Sequence, residues 1–475
     1  MRIVLVCLAL CAISGLIAQS AAVRVEDISI AGNERTRDYI ILRELNLSVG
    51  DTIIIADSSQ VLQQNKNQLL NTGLFADADL FFATDAVTAT TRLHVKVKEN
   101  LFAFPYAFVD LIDRDFNVWW KVHNFALERT LPYVGFKHLN LTGQQDELSL
   151  AFQVGFTDKV NFQNTFIRKV QVAYTSPYIN RAQTMQLTGG FFFTRDRIVR
   201  LNTINNRDTF ITSEETSLLE RTLGRVGWSY RPQLFESHTL ELTFRDRHVA
   251  EQIINQNEAY FGHPDQDRQR FLSLEYRFVS DRRDFQLMAK RGYYFEGGIA
   301  KEGFGWWNER NALLLDAEYA HYFTLSPKWS LETVGSIRTN LLRSDIDYYN
   351  LPVVGPKPEV VRGYITYHVR GSDFVYGKSS FRYELWNNQL NLGFLPSSVG
   401  QYRDLPLAVY LKVNNDMAYV RTIDAEPTNS LSNRLLYGGG GGIDLVIANT
   451  FRLELMLNTN SLGDRRFSFH TYFPF

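Results

Sequence analysis

The sequence predicts a transmembrane β-barrel of about 16 antiparallel strands, preceded by one small α+β domain. Three observations predict it. The chain opens on a short apolar run with the marks of a secretory signal. Residues 101–475 alternate between apolar and polar positions with a period of two, and they contain no convincing amphipathic helix. Turn-rich segments such as Asn202 to Asn206 and Pro264 to Asp267 interrupt that alternation as surface loops do.

Composition narrows the field first. The 475 residues are 45% hydrophobic and 21% charged, which excludes a disordered chain. Aromatics are high at 13%, with 34 Phe and 23 Tyr. The formal net charge of −1 offers no basic field for nucleic acid. Mean hydropathy is −0.20 with a single long apolar run, which excludes a polytopic helical membrane protein.

That run extends from Ile3 to Ile17, after Arg2 and before the small-residue stretch Ala18-Gln19-Ser20-Ala21-Ala22. It reads as a signal peptide over residues 1–20, being short for a membrane span and lacking the Arg- and Ser-rich character of a transit peptide. Both cysteines, Cys7 and Cys11, fall inside it. The mature chain is therefore expected to have no disulfide, no Cys metal site and no thiol nucleophile. Leu8-Ala9-Leu10-Cys11 is a poor lipid-attachment site, because Leu10 stands where such motifs hold a small residue.

Residues 21–100 form the expected first domain. Val23, Val25, Ile28 and Ile30 predict a strand and Gly32-Asn33 a turn. Tyr39 to Leu45 predicts a short helix, with Ile41 and Leu45 on one face. Gly50-Asp51 is a second turn. Asp57 is placed to cap a second helix, with Gln60 three residues on and Val61, Leu62, Leu69 and Leu70 on one face. That helix should stop at Gly73. Strands over Leu80 to Phe82 and Leu93 to Val97 complete a β-α-α-β-β order.

Residues 101–475 form the expected barrel. Leu148, Leu150, Phe152, Val154 and Phe156 alternate with polar or small residues. So do Leu240, Leu242 and Phe244; Leu272, Leu274, Tyr276 and Phe278; and Phe451, Leu453, Leu455 and Leu457. A soluble sandwich also alternates. The preceding secretory signal and the length of the helix-free region favour a membrane barrel. At roughly 23 residues per strand and connection, the region holds about 16 strands. The last strand carries Phe467, Phe469, Phe473 and Phe475 on one face, with Thr471 between them. As a soluble edge it would invite aggregation. Pro474 cannot donate to a ladder, so the end of this strand is expected at an unpaired edge.

Several short motifs carry a family resemblance. Ile30-Ala31-Gly32-Asn33, Thr36, Leu45 to Asp51 and Gly73-Leu74-Phe75 resemble a POTRA domain. Val361-Arg362-Gly363-Tyr364 resembles the V-R-G-F/Y motif in the sixth loop of the BamA-type outer-membrane assembly superfamily. Tyr174 to Tyr178, with Ser176 in place of an acid, resembles that family's Y-x-D-P-Y strand end. Asp281-Arg282-Arg283-Asp284 and Lys290-Arg291-Gly292-Tyr293 resemble its D-x-R-D … x-x-G strand pair. Gly438 to Gly442 resembles its glycine-rich strand, and the terminal Phe resembles its C-terminal signal.

The resemblance implies that the sixth loop folds into the lumen and that Arg362 meets a carboxylate on the inner wall. Asp416 matches the family's F-x-D-x-G carboxylate best, with Asn414 replacing the aromatic and Ala418 the glycine. Glu384 is the second candidate. A bidentate Arg–carboxylate pair in a dry lumen would be specific and costly to break. The resemblance further implies a weakly paired seam between the first and last strands, here Phe102, Phe104, Phe467, Phe469, Phe473 and Phe475, with Pro105 and Pro474 suiting weak closure.

The function implied is insertion of unfolded outer-membrane clients at that seam, with the POTRA domain in the periplasm. A secretion pore for a soluble client and an accessory barrel in a larger complex are the alternatives. Partners would be client proteins, outer-membrane lipids and periplasmic or lipoprotein subunits, with no nucleic acid and no cofactor. No enzyme is expected. Gly371 to Ser379 has one residue too many for a phosphate loop, and neither H-E-x-x-H nor G-x-S-x-G occurs. Asp113-Arg114-Asp115 and Glu214-Glu215 read as loop charge.

Overall fold

The computed structural model describes residues 22–84, 90–111, 116–126, 130–158, 163–213, 216–307, 310–343, 347–355, 359–391, 393, 404–423, 427–449 and 451–472. The expected signal with Cys7 and Cys11, the charged residues 113–115 and 214–215, and Phe473, Pro474 and Phe475 lie outside the described residues. The chain divides into two compact units after Glu99.

The first unit contains β1 (Ala22–Ala31), α1 (Asp38–Glu44), β2 (Thr52–Ile54), α2 (Ser58–Asn71), β3 (Phe75–Thr84) and β4 (Thr91–Glu99). Its sheet order is β2-β1-β4-β3, with β1 and β4 parallel. The helices bury Ile40, Ile41 and Leu69 with Val25, Leu93 and Val95 of the sheet. Two local details differ from the sequence reading. Strand β2 was not anticipated, because three residues are too few to show a period. Asp57 makes no side-chain cap to α2; instead the 3-10 turn Ile55–Asp57 leads into the helix.

The Gly32 motif has a physical cause. Its φ is +89°, and a Cβ there would lie 2.0 Å from the Val97 carbonyl oxygen. Only glycine permits both the turn and the approach. Beyond it, the Thr36 amide donates to the Glu99 carboxylate at 2.6 Å, and Asn33 donates to the Thr36 carbonyl at 2.9 Å. These bonds fix the chain between β1 and α1.

The second unit begins with β5 (Ala103–Leu111), α3 (Phe116–Lys121), β6 (Thr130–His138), β7 (Glu147–Asp158), β8 (Gln163–Thr175) and β9 (Met185–Asp196). The hairpin β10 (Ile198–Ile204) and β11 (Arg207–Thr212) follows, then β12 (Leu219–Gln233), β13 (Glu236–Val249) and the short α4 (Glu251–Ile254). Next are β14 (Arg268–Asp281), β15 (Gly292–Glu302), β16 (Ala312–Thr324) and β17 (Trp329–Asn340). Short strands β18 (Val353–Gly355), β19 (Glu359–Val360) and β20 (Val369–Arg370) precede β21 (Asp373–Asn391), β22 (Asp404–Arg421), β23 (Leu435–Ile447), β24 (Phe451–Asn460) and β25 (Arg465–Tyr472).

Sixteen of these strands form one sheet, with β5 and β25 as its two ends; β10–β11 and β18–β20 lie outside it. The four stretches whose alternation predicted strands fall in β7, β13, β14 and β24. Outward positions are apolar: Val226, Leu242, Ile337, Val413 and Leu457 are between 45% and 65% exposed. Inward positions include buried Lys412, Asp416, Asp444 and Glu454. Apolar outside and charged inside is the pattern of a barrel solvated by lipid. Correcting the helix-free reading, α3 and α4 occur in the connections, at six and four residues too short for a helical stripe.

Because the strands alternate in direction, their connections fall on two rims. The near rim holds the start of β5 and the end of β25. The far rim holds α3, the β10–β11 hairpin, α4 and the long β17–β21 loop. There, Val199, Leu218, Ile253 and Tyr260 form an apolar cluster with Tyr348 and Tyr349. The hairpin tip turns at Asn205 and Asn206, both at positive φ. Asn206 reaches the β22–β23 connection, where its amide donates to Asn429 Oδ1 at 2.7 Å and its side-chain oxygen accepts from the Leu431 amide at 3.1 Å. Burial pushes the Asp208 carboxyl up, but Arg370, His368 and Arg200 outweigh it and hold it down at about 2.

Candidate functional site: a loop pinned inside the barrel

The β17–β21 loop carries Val361-Arg362-Gly363-Tyr364 into the lumen. Val361 and Tyr364 are fully buried and Arg362 is 8% exposed. The loop enters through the small sheet β18–β20, whose Val354 and Val369 pack with Val361, Tyr364, Phe374 and Tyr376. Asp416 on β22 faces this tip and is itself fully buried. Its carboxylate accepts from the Arg362 backbone amide at 2.8 Å and from Arg362 Nε at 2.9 Å, and Arg362 Nη2 donates to it as well. Two further guanidinium protons reach Ser380 Oγ at 2.8 Å and the Ser379 carbonyl at 3.3 Å. A single planar fork thus ties the loop to β22 and β21, which an ammonium could not do.

Glycines provide the room. Gly363 sits at φ +94°, and a Cβ there would lie 2.5 Å from the Thr459 carbonyl oxygen. A Cβ on Gly438 would lie 1.9 Å from the Arg362 carbonyl oxygen. The first residue of the glycine run is therefore a seat for the loop backbone. The tip also reaches β24 and its following turn. Asn460 donates to the Gly363 carbonyl at 2.9 Å, and Tyr364 and Ser461 hydroxyls share a hydrogen bond of 2.6 Å. These anchors lie on β21 to β24 and in the turn after β24, next to the last strand.

The POTRA family model, described as "Surface antigen variable number repeat", matches residues 23–100. Residues 23–100 are a POTRA domain. CdiB from Escherichia coli superposes with a TM-score of 0.52 at 9% identity, over 94% of this chain and 75% of that one. BamA from Haemophilus ducreyi lacking POTRA domains 1–3 gives 0.49 at 13% identity, over 95% of this chain and 85% of that one. CdiB from Acinetobacter baumannii gives 0.44 at 13% identity, over 94% and 73%. No curated protein sequence matches the chain. The chain thus shares the fold of CdiB, with one POTRA domain in sequence before a 16-stranded sheet.

Glu384, the second candidate partner of Arg362, requires correction. It lies on β21 nearer the near rim, four residues beyond Ser380 and roughly 13 Å further along the strand. There it binds Lys290 and accepts from the Tyr410 hydroxyl at 3.2 Å. Lys290 belongs to the β14–β15 turn, residues 282–291, which folds inward. Its Leu287 and Met288 pack against Ala408, Tyr410 and Val446 across the near-rim mouth, with Tyr472 alongside. The D-x-R-D motif builds this turn: Asp281 binds Arg283 at 2.6 Å, and Asp284 accepts from the Lys290 amide at 3.0 Å. Gly292 closes it at φ +103°, with no space for a Cβ beside the Arg282 carbonyl. Replacing Leu287 and Met288 together with serine should raise the ion conductance of the barrel in planar bilayers. An unchanged conductance would show that this turn does not close the near-rim mouth.

The sequence reading missed a second luminal cluster. Lys412 is 1% exposed and lies 2.7 Å from Asp444, with Glu454 on its other side. Arg382 binds Glu332 and approaches Asp444 at 3.6 Å, while Arg452 reaches the Leu287 carbonyl at 3.2 Å. The signal was present as inward charges at alternate positions of β21 to β24, but alternation alone does not say which charges meet.

The residues expected at a seam lie at different heights on the two end strands. Phe102 is buried just before β5, stacked on His138, and Phe104 lies at the near-rim start of β5. Phe467 and Phe469 lie toward the far-rim end of β25, where α3 rests on them: the Phe116 and Phe469 rings are 4.7 Å apart. Phe473 and Phe475 lie outside the described residues.

Proposed function

We propose that the protein inserts unfolded β-barrel clients into an outer membrane at the seam between β5 and β25. The observation that carries this reading is where the barrel is obstructed. Its lumen is crossed at three levels by its own chain: the 282–291 turn, the pinned Arg362 loop and the far-rim loops. The sheet, by contrast, has two end strands, β5 and β25. A polypeptide threading the lumen would have to displace three packed layers. A strand entering at the seam displaces the cover of β25 and leaves those layers in place.

In this reading the POTRA domain stands in the periplasm and receives extended client segments at a sheet edge, by strand addition. Lipids contact the apolar outer face, and periplasmic or lipoprotein subunits are possible further partners. No nucleotide or cofactor takes part, because folding into the bilayer supplies the driving force. The Arg362–Asp416 pair is a positioning device that holds β21 to β24 in register beside the last strand.

The test is reconstitution in liposomes, timing the folding of a urea-unfolded outer-membrane barrel. Acceleration by the protein, lost in Arg362→Ala, is the expected result. Absence of acceleration together with large single-channel currents would overturn this reading in favour of a secretion pore.

A further inference from the structure

The helix α3 occupies the edge of the last strand in an unusual manner. It is six residues long and lies in the β5–β6 connection. Asn117 is 1% exposed, and its side-chain amide faces the backbone of Phe469. Its Nδ2 donates to the Phe469 carbonyl at 3.2 Å, and its Oδ1 accepts from the Phe469 amide at 3.3 Å. Lys121 Nζ donates to the Phe467 carbonyl. In an antiparallel ladder, the N–H and C=O of one residue point to the same neighbour, as do those of the residue two positions away. Phe467 C=O, Phe469 N–H and Phe469 C=O are therefore successive groups of one edge. A neighbouring strand would engage all three; here two side chains of α3 do so.

The side chains around these bonds fit the same role. The Phe116 ring lies 4.7 Å from Phe469 and the Trp120 ring 6.4 Å from Phe467. Lys121 also sits over Trp120, 5.5 Å from its centroid. The helix thus covers both the hydrogen-bonding edge and the aromatic face of the strand. An exposed strand edge would pair with any available chain. Covering it with side-chain amides leaves it protected yet exchangeable, because a real strand offers a longer ladder than one asparagine and one lysine.

We propose that α3 is a stand-in strand: Asn117 and Lys121 hold the β25 edge at Phe467–Phe469 until an incoming β-strand of the client replaces them. This rests on the seam reading above and adds its regulation. The partner it specifies is an extended segment with an apolar outer face, able to supply a carbonyl and an amide where Asn117 now supplies an amide group. Release of α3 is then the step that admits the client.

Two measurements separate this proposal from the seam reading itself. The first needs no client. Hydrogen exchange of the peptide containing Phe469 is followed in the full-length protein in nanodiscs. Asn117→Ala should exchange about tenfold faster at Phe469, with the β12–β13 wall unchanged. Asn117→Asp keeps an acceptor for the Phe469 amide but loses the donor to its carbonyl, and should fall between the two. Unchanged protection in Asn117→Ala overturns the proposal. The second measurement tethers the helix. Trp120→Cys and Phe467→Cys are joined by a reducible bis-methanethiosulfonate linker, and client folding is timed before and after reduction. The tether should stop acceleration and reduction should restore it. If direct cross-linking of β5 to β25 stops client folding but the α3 tether does not, the seam reading stands and this proposal falls.

Discussion

Asp416→Ala is expected to release the β17–β21 loop and to destabilise the barrel by about 3–5 kcal/mol, the usual cost of stranding one partner of a buried ion pair. Arg362 would keep its bonds to Ser380 and Ser379 but lose the carboxylate that engages both its backbone amide and its Nε. The midpoint of the heat-induced gel-mobility shift of the folded barrel measures the loss. Replacing both partners with apolar residues, Arg362→Met with Asp416→Leu, should cost less than the sum of the single changes, and the double-mutant cycle gives the coupling. Gly438→Ala should reproduce the loop release with both charged residues intact, because its Cβ meets a backbone carbonyl that has nowhere to go. If Gly438→Ala leaves the loop protected from exchange, the seat assigned to this glycine is wrong.

The second large effect is at Lys412. Its ammonium separates Asp444 and Glu454, and all three side chains are at most 6% exposed. Lys412→Ala would leave two buried carboxylates facing one another across a cavity, a loss again of about 3–5 kcal/mol. Lys412→Arg keeps the charge but brings a wider planar head between Asp444 and Glu454, so a smaller loss is expected. A mobility-shift midpoint close to wild type for Lys412→Ala would mean that water or Arg382 takes over the role of the lysine.

How much of this was legible in the sequence depends on the kind of signal. Strands β7, β13, β14 and β24 announce themselves because lipid on one side and charge on the other enforce a strict two-residue period. Arg362 is legible because its tetrapeptide is distinctive, and the structure pairs it with Asp416 even though Asn414 and Ala418 depart from the family pattern. Those two positions are buried neighbours on the same face of the strand, at 3% and 2% exposure, so substitution there changes packing without moving the carboxylate. Glu384 was misjudged because sequence gives the face of a residue on β21 but not its depth in the lumen. Lys412, Asp444 and Glu454 were unreadable for a related reason, since their meeting depends on register between three strands. Helix α3 escaped notice because six residues carry no periodic stripe.

In the proposed function, clients pass through the wall at the seam and not along the lumen. The most direct test is a reversible lock. Cysteines introduced on β5 and β25, at a pair chosen by cross-linking efficiency, would be oxidised in the reconstituted protein while the folding of a urea-unfolded client barrel is timed. The only native cysteines, Cys7 and Cys11, belong to the expected signal peptide, so the engineered disulfide would stand alone. The oxidised protein is expected not to accelerate folding, and reduction is expected to restore acceleration. Full acceleration by a protein shown to be cross-linked would contradict the proposed function.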